Sequence, residues 1–324
     1  MNGFERINKT LKGEWPDRRP VMLHNFMMAA SEAGYSMKTF RENPENAADA
    51  FIQSVEKYHL DGVMIDFDTT LLAGAIGVHV DYPENEPDII PKGLISSREQ
   101  IDELKEVYIS KNQRVQIWLE TCRIIKNHFG DEVFVRGNCD QAPFSIASMV
   151  RGAQEWMLDL MVPGEEVVQL LDYCTEVSCQ FIDLMVQTGV DMVSNGDSPA
   201  GPEMISPEMF REFALPYLRH EFARLDGVVY HLDGVGNLPN LQVLCAEPDL
   251  HTIQWVPGAG KERIDQWYDV IQRVLSVGKS VQVFAQTSEV DDLLKHVGPR
   301  GVLITLTDAT EEEAVALCER FGIE

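Results

Sequence analysis

Short apolar and β-branched runs alternate with longer segments of helical pattern along almost the whole chain. Most of the short runs are continuously apolar, which is typical of strands buried on both faces of a parallel sheet. The pattern predicts eight strands, at residues 19–26, 61–68, 133–140, 191–197, 228–234, 251–256, 280–286 and 301–307.

The segments between the strands carry helix start and stop signals. Ser206, Pro207 and Glu208 supply an N-cap, a first-turn proline and a first-turn acid. Thr310 precedes three glutamates in the last segment, which ends at Gly322. Eight strand–helix units predict an α/β fold, the (β/α)8 or TIM barrel.

A doubly wound open sheet is the alternative fold. It predicts a Gly-rich phosphate-binding turn after an early strand, and neither GxGxxG nor GxxxxGK[ST] occurs in the chain. The stretch VPGAGK, residues 256–261, has the lysine without the spacing and is interpreted as a turn. The barrel is therefore the predicted fold.

Residues 77–106 interrupt this alternation after the second strand with a long segment that contains several prolines. We expect a hairpin and loop that cover one end of the barrel. No low-complexity linker divides the chain, so residues 1–324 are expected to form one barrel domain.

Composition limits the class of protein. No run approaches the roughly 18 apolar residues of a membrane span, and the first residues lack the apolar stretch of a signal peptide, which favours a cytoplasmic protein. The 52 acidic and 27 basic residues give a formal charge of −25, which disfavours nucleic acids and anionic membranes as partners. Solubility alone is the simplest interpretation of that charge.

The six cysteines include no CxxC pair, so zinc-ribbon and thioredoxin-type sites are excluded. Cys139 lies near the end of a predicted strand and is either part of a site or a small buried side chain.

Polar residues collect where the predicted strands end, which is the end of a barrel that carries active sites. The strands contribute His24, Asn25, Asp66, Asp68, Arg136, Asn138, Asp140, Asn195, Asp197, His231, Asp233, Gln254, Trp255, Gln282, Gln286 and Asp308. Each of these side chains could simply form a hydrogen bond with another one across the barrel. Taken together, however, they indicate a functional site.

His231 and Asp233 lie two residues apart on the fifth strand and should project to the same side. Three interpretations stay open. They are ligands of zinc or a similar divalent metal, an acid–base pair, or a structural pair bonded within the barrel.

Several motifs resemble those of the uroporphyrinogen decarboxylase superfamily, which also contains zinc-dependent methyltransferases that work with corrinoid proteins. The motifs span nearly the whole chain: ERINKTLKGEWPDRRPVMLHNF at 5–26, DFDTTLLAGAIGV at 66–78, QAPFSIASMVRG at 141–152 and GDSPAGPEMISPEMFREFALPY at 196–217. The resemblance implies the (β/α)8 barrel with a helix before its first strand.

The resemblance to the decarboxylases is incomplete at the site. Asp68 falls on their essential substrate-binding aspartate, and Asp197 with Ser198 falls on their DS pair. Their two arginine positions after the first strand are Asn25 and Ala29 here. Their tyrosine after the third strand is Met149, and their histidine near the last strand is missing. A substrate with many carboxylates needs fixed cations, so these losses disfavour uroporphyrinogen as the substrate.

The resemblance to the methyltransferases centres on the fifth strand. They place zinc on an HxC pair there and on a later cysteine, and the metal lowers the pKa of a thiol that accepts the methyl group. His231 matches that histidine, Asp233 stands at the first cysteine, and the last strand offers no later cysteine. A carboxylate ligand leaves more positive charge on a metal, which also suits activation of an oxygen.

The leading hypothesis is a methyltransferase that moves a methyl group between a small substrate and a corrinoid protein or another carrier. His231 and Asp233 hold a metal, and Asp68, Asp197 and His231 are the catalytic candidates. The candidate substrate-binding residues are His24, Asn25, Asn138, Gln254 and Gln286. A metal-free decarboxylase centred on Asp68 and a non-catalytic binding protein are the alternatives, and a homodimer is possible.

Overall fold

A computed structural model describes residues 1–23, 26–139, 141–201, 204–258, 260–261, 263–298 and 300–306, together with residues 312, 313 and 316. Within these ranges, eight parallel strands pair in chain order, and the eighth pairs with the first to close a barrel. The strands are β1 Val21–Leu23, β2 Gly62–Ile65, β3 Phe134–Cys139, β4 Met192–Gly196, β5 Val228–Asp233, β6 Thr252–Val256, β7 Ser280–Ala285 and β8 Val302–Leu306. The predicted (β/α)8 barrel is confirmed.

Helices surround the barrel. They are α1 Gly3–Leu11, α2 Phe26–Glu32, α3 Met37–Glu42, α4 Pro44–Tyr58, α5 Leu71–Ala75, α6 Gln113–Phe129, α7 Pro143–Arg151, α8 Ala153–Met161, α9 Glu165–Val186, α10 Pro207–Phe213, α11 Leu215–Phe222, α12 Leu241–Ala246, α13 Tyr268–Ser276 and α14 Val290–Val297. No helix in the described ranges combines the length and the apolar character that a membrane span requires.

The predicted helix after β4 begins as expected but is divided in two. Ser206 caps α10, because its hydroxyl accepts a hydrogen bond from the amide of Met209. Ala214 separates α10 from α11, and Pro216 lies in the first turn of the second helix. The last predicted helix, at 310–322, lies almost entirely outside the described residues.

Helix α1 forms the N-terminal extension and closes the N-terminal end of the barrel. Ile7 and Leu11 pack with Met22, Met64, Phe134 and Leu303 in a small apolar core inside the strands. A Cβ atom at Gly3 would lie 2.2 Å from the backbone oxygen of Asp61, so the close approach of α1 requires a glycine there. A much larger core lies between the strands and the outer helices.

Buried Asp61 joins this extension to the barrel. Its carboxylate accepts two hydrogen bonds from Arg18, at 2.6 and 2.8 Å, and one from Arg6 at 3.0 Å. The amide of Val21 at the start of β1 adds a fourth bond at 2.9 Å. These bonds fix the chain that enters β1.

The segment at 77–106 forms a loop with one antiparallel bridge, between Asp81 and Ile89, and a 3₁₀ helix at Arg98–Glu103. The expected hairpin is thus limited to that bridge. Arg41 of α3 donates to the carbonyl oxygens of Pro83 and Glu86 and holds the loop near the C-terminal end of β2.

Candidate active site

The register of the strands decides which polar side chains face the barrel interior. Asn138 accepts a hydrogen bond from Ser194 on the next strand at 2.7 Å. Gln282 donates to Thr305 at 2.7 Å and accepts from Arg136, which crosses the barrel from β3. Because these bonds join side chains across the interior, the floor of the site is a buried polar layer above the apolar core of α1.

His231 and Gln254 form the central pair of the site. They occupy paired positions on β5 and β6, and Nδ1 of His231 lies 2.9 Å from Oε1 of Gln254. Since Oε1 is an acceptor, the tautomer that fits this bond has its proton on Nδ1 and its lone pair on Nε2. His231 is half-buried at this end of the barrel.

Asp233 lies on the same side of β5 as His231, as predicted from the alternation of side chains. It is half-buried, and its backbone carbonyl accepts a hydrogen bond from Asn237, which fixes the turn after the strand. The structure thus places an oriented imidazole and a carboxylate together at the C-terminal end of the barrel.

Asp68 lies at the edge of the site near β2. Its Oδ1 accepts hydrogen bonds from the amide and hydroxyl of Thr70, at 3.0 and 3.1 Å, and its Oδ2 accepts from Nε of Arg114 at 3.0 Å. Burial raises the pKa of Asp68, and the positive charge of Arg114 opposes that effect. Asp68 is therefore held in a local network with Thr70 and Arg114.

Asp197 lies behind β4, on the side that faces the outer helices. Its Oδ1 accepts hydrogen bonds from the amide and hydroxyl of Ser145 in the first turn of α7, at 2.7 and 2.6 Å. Burial raises the pKa of Asp197 to about 7, although the bonds from Ser145 oppose the shift. The geometry indicates a helix-capping role for Asp197.

Asn195 shares that outward face of β4 and donates to Glu221 of α11. Glu221 is fully buried, and this burial raises its pKa well above the ordinary value. The sequence interpretation missed Glu221 because the only signal is an acid on the inner face of an otherwise amphipathic helix.

The other predicted site residues are dispersed. Gln286 is exposed and caps the short 3₁₀ helix Thr287–Glu289 after β7. Trp255 faces outward and packs edge-on against Trp267, and Cys139 belongs to the outer apolar core. The candidates His24, Asn25, Asp140 and Asp308 lie outside the described residues.

A resident metal ion would need more donors than His231 and Asp233 supply. Structural and catalytic zinc sites take three or four protein ligands. Among the described residues, no group of three or more His, Cys, Asp or Glu side chains is arranged to hold a metal. Asp197 does not supply a third ligand, because its carboxylate is bonded to α7. The described donor set is therefore incomplete for zinc.

A family model described as uroporphyrinogen decarboxylase (URO-D) matches residues 2–297 of the chain. The chain belongs to the uroporphyrinogen decarboxylase family. The match covers every described site residue, from Asp68 to Gln286.

Relatives in this family have two different activities. The chain is 27% identical over 242 residues to the methylcobamide:CoM methyltransferase MtbA of Methanosarcina acetivorans, which covers 71% of this chain and 69% of that protein. It is also 27% identical over 229 residues to a uroporphyrinogen decarboxylase of Salinibacter ruber, which covers 66% of this chain and 62% of that protein. The family members are enzymes, and the comparison leaves the reaction type open.

A solved structure supports the fold assignment for this URO-D family member. A methyltransferase from Methanosarcina mazei superposes with a TM-score of 0.84 at 19% identity, over 99% of this chain and 98% of the other. At that identity the similarity establishes the shared barrel architecture.

Proposed function

We propose that this URO-D family member transfers a methyl group from a methylcobamide-type carrier, presented by a corrinoid protein, to a small acceptor that carries a thiol or hydroxyl group. The observation that supports it best is the bond between His231 and Gln254, which orients the imidazole at the strand end that also carries Asp233. Methyltransferases that use methylcobamide are among the relatives.

The carrier would supply the methyl group as an electrophile: the bond from the carrier to the methyl carbon breaks as the acceptor bonds that carbon, and the carrier keeps the electron pair. The acceptor must lose its proton to become a good nucleophile, and Nε2 of His231 takes that proton. The bond to Gln254 keeps the ring in the required tautomer and orientation. Asp233 stabilises the imidazolium ion that forms, since both side chains lie on one side of β5.

The alternative to this acid–base role is a divalent metal on the same pair, which would lower the pKa of a bound thiol or hydroxyl. His231 has the orientation of a metal-binding histidine, with its second ring nitrogen bonded to a neighbouring carbonyl. We assign no step to a metal, because the described donors number two. Metal analysis of the purified protein beside His231→Ala and Asp233→Ala tests this assignment, and metal retained by both variants contradicts it.

Decarboxylation is the second candidate, favoured by buried Asp68 and by the decarboxylases among the relatives. A substrate with many carboxylates needs several available cations. Inside the described part of the barrel, Arg136 already bonds Gln282, and Arg41 bonds the loop backbone. This favours methyl transfer over uroporphyrinogen decarboxylation.

Anaerobic incubation with methylcobalamin and a panel of thiols and phenols tests the proposal, with demethylation followed by absorbance. We expect activity in the wild type and a loss of about 100-fold or more in His231→Ala. His128→Ala is the matched control, because His128 is exposed on α6 and pairs with Glu56. Absence of demethylation with every acceptor, or equal rates in the wild type and His231→Ala, contradicts the proposal.

Two other outcomes would favour the alternative functions. Carbon dioxide release from uroporphyrinogen would favour the decarboxylase, and ligand-induced stabilisation without any turnover would favour a binding protein.

A further inference from the structure

The corner between α8 and α9 exposes the densest group of large apolar side chains in the described part of the chain. Leu158 and Met161 of α8 are 55% and 71% exposed, Val162 after the helix is 71% exposed, and Val168 of α9 is 45% exposed. Among the described residues, no other eleven consecutive positions carry four exposed large apolar side chains. Monomeric proteins seldom leave such a patch in water, and patches of this kind commonly bind a partner.

The corner is held rigidly by Arg98, which lies in the 3₁₀ helix near the end of loop 77–106. Nη1 of Arg98 donates to the carbonyl oxygen of Val162 at 2.9 Å, and its Nε donates to Oδ1 of Asp159 at 2.8 Å. Oδ2 of buried Asp159 accepts a second bond, from Nε of Arg151 at 2.7 Å. Because the backbone is fixed before a partner arrives, little conformational entropy is lost when the corner is covered.

The exposed positions of α8 form one stripe along the helix. Gln154, Leu158 and Met161 are four and three residues apart and share a face, whereas Trp156 and Leu160 are buried on the other side. A twofold axis that passes close to Leu158 would lay this stripe against the same stripe of a second copy. The two α8 helices would then run antiparallel, as a self-complementary contact allows.

The charges beside the stripe favour this antiparallel arrangement. Glu155 lies in the first half of α8 with its carboxylate 53% exposed, and Arg98 is bonded at the end of the helix and is 28% exposed. Ion pairs run from Glu155 through Arg151 and Asp159 to Arg98, so the two ends of this series lie on one flank of α8. A twofold axis therefore brings Glu155 of each copy toward Arg98 of the other, and opposite charges meet.

We propose that the corner between α8 and α9 binds a second copy of this chain, with Leu158 near a twofold axis. An interface of ordinary size buries roughly 800 Å² on each partner, with an apolar centre and a polar rim. Met161, Val162 and Val168 supply the centre beside Leu158, and the 3₁₀ helix Arg98–Glu103 supplies part of the rim. The contact uses outer helices and does not depend on the proposed reaction.

Sedimentation velocity of the full chain, at about 1 to 100 µM, tests the proposal. We expect the mass to rise with concentration from 36.5 kDa toward twice that value. Added salt should favour the dimer, because it screens the charge of −25 on each copy. Met161→Glu and Leu158→Glu should each weaken the dimer at least tenfold. Val277→Glu is the matched control, because Val277 at the end of α13 is 53% exposed and gains the same charge elsewhere.

Two further variants test the antiparallel geometry. Glu155→Lys makes an acidic chain less negative, yet it should weaken the dimer, because it places a lysine against Arg98 of the other copy. Leu158→Cys, oxidised with diamide, should form a covalent dimer across the twofold axis, whereas Val277→Cys should stay monomeric.

Three results would overturn the proposal. One is a mass of 36.5 kDa at every concentration. Another is a dimer that persists in Met161→Glu, because the contact would then lie on another face. The third is equal dissociation of Val277→Glu, because general charge repulsion would then explain the loss. Far-ultraviolet circular dichroism of each variant checks that a lost dimer is not a lost fold.

Discussion

Oε1 of Gln254 lies 2.9 Å from Nδ1 of His231, across the neighbouring strands β5 and β6. Strand pairing places the two residues side by side, so the orientation of the imidazole depends on the closed barrel and not on a flexible loop. This bond decides which ring nitrogen faces the substrate.

Replacement of Gln254 by leucine should therefore free the tautomer of His231. We expect Gln254→Leu to lower acceptor-dependent demethylation about 10- to 100-fold, as removal of an orienting partner commonly does. Nitrogen-15 NMR of labelled histidine gives a readout that needs no turnover, because it reports the proton on Nδ1 directly.

Gln254→Glu gives the complementary result. A carboxylate beside Nδ1 accepts a stronger hydrogen bond and stabilises the imidazolium form of the ring. The acidic limb of the activity profile should move to higher pH. Gln272→Leu on the outer surface of α13 serves as the control for both variants. A tautomer and pH profile that stay unchanged in both Gln254 variants would show that this bond does not orient the ring.

The barrel and the side-by-side placement of His231 and Asp233 could be predicted because both follow from local pattern. Continuous apolar runs indicate buried parallel strands, and alternation within one strand fixes which side chains share a side. The outward direction of Asn195 could also be predicted from the sequence. Asn195 lies two residues after apolar Val193, which packs in the outer core, so the two side chains share one face of β4.

The partners of Asp68 and Asp197 could not be predicted in the same way. Both residues lie beyond the last paired residue of their strands, where alternation no longer fixes direction. Arg114 is 46 residues from Asp68, and Ser145 is 52 residues from Asp197. Such contacts depend on how α6 and α7 pack on the barrel, and no local sequence pattern encodes that packing.

The carboxylate of Asp61 supports a prediction about stability. Asp61→Asn would leave part-buried donors of Arg6 and Arg18 without their charged acceptor at the start of β1. We expect a loss of about 3 kcal/mol in the free energy of unfolding, measured by urea titration. Asp17→Asn is the control, because Asp17 also pairs with Arg6 but is 40% exposed, and it should cost less than about 1 kcal/mol. Equal losses in the two variants would contradict the assigned importance of Asp61.

Burial of Asp197 predicts a dependence of stability on pH. Its pKa is about 7 in the folded protein, against 3.8 for an aspartate that is free in water. Between these two pH values, the folded protein therefore binds more protons than the unfolded chain. The free energy of unfolding should therefore fall as pH rises from about 4 to 7, by up to about 1.4 kcal/mol per pH unit from this group. Burial raises the pKa of Glu221 as well, which adds a fall of the same sign.

Asp197→Asn isolates the contribution of Asp197 from that of Glu221. The amide oxygen of asparagine can still accept the bonds from Ser145, while its uncharged side chain removes the cost of a buried carboxylate. In urea titrations at pH 5, 6, 7 and 8, the variant should gain stability relative to the wild type as pH rises, and the difference should level off above pH 7. If the free energies of unfolding of the two proteins change in parallel from pH 5 to 8, Asp197 does not titrate in this range. That result would contradict its burial in the uncharged form.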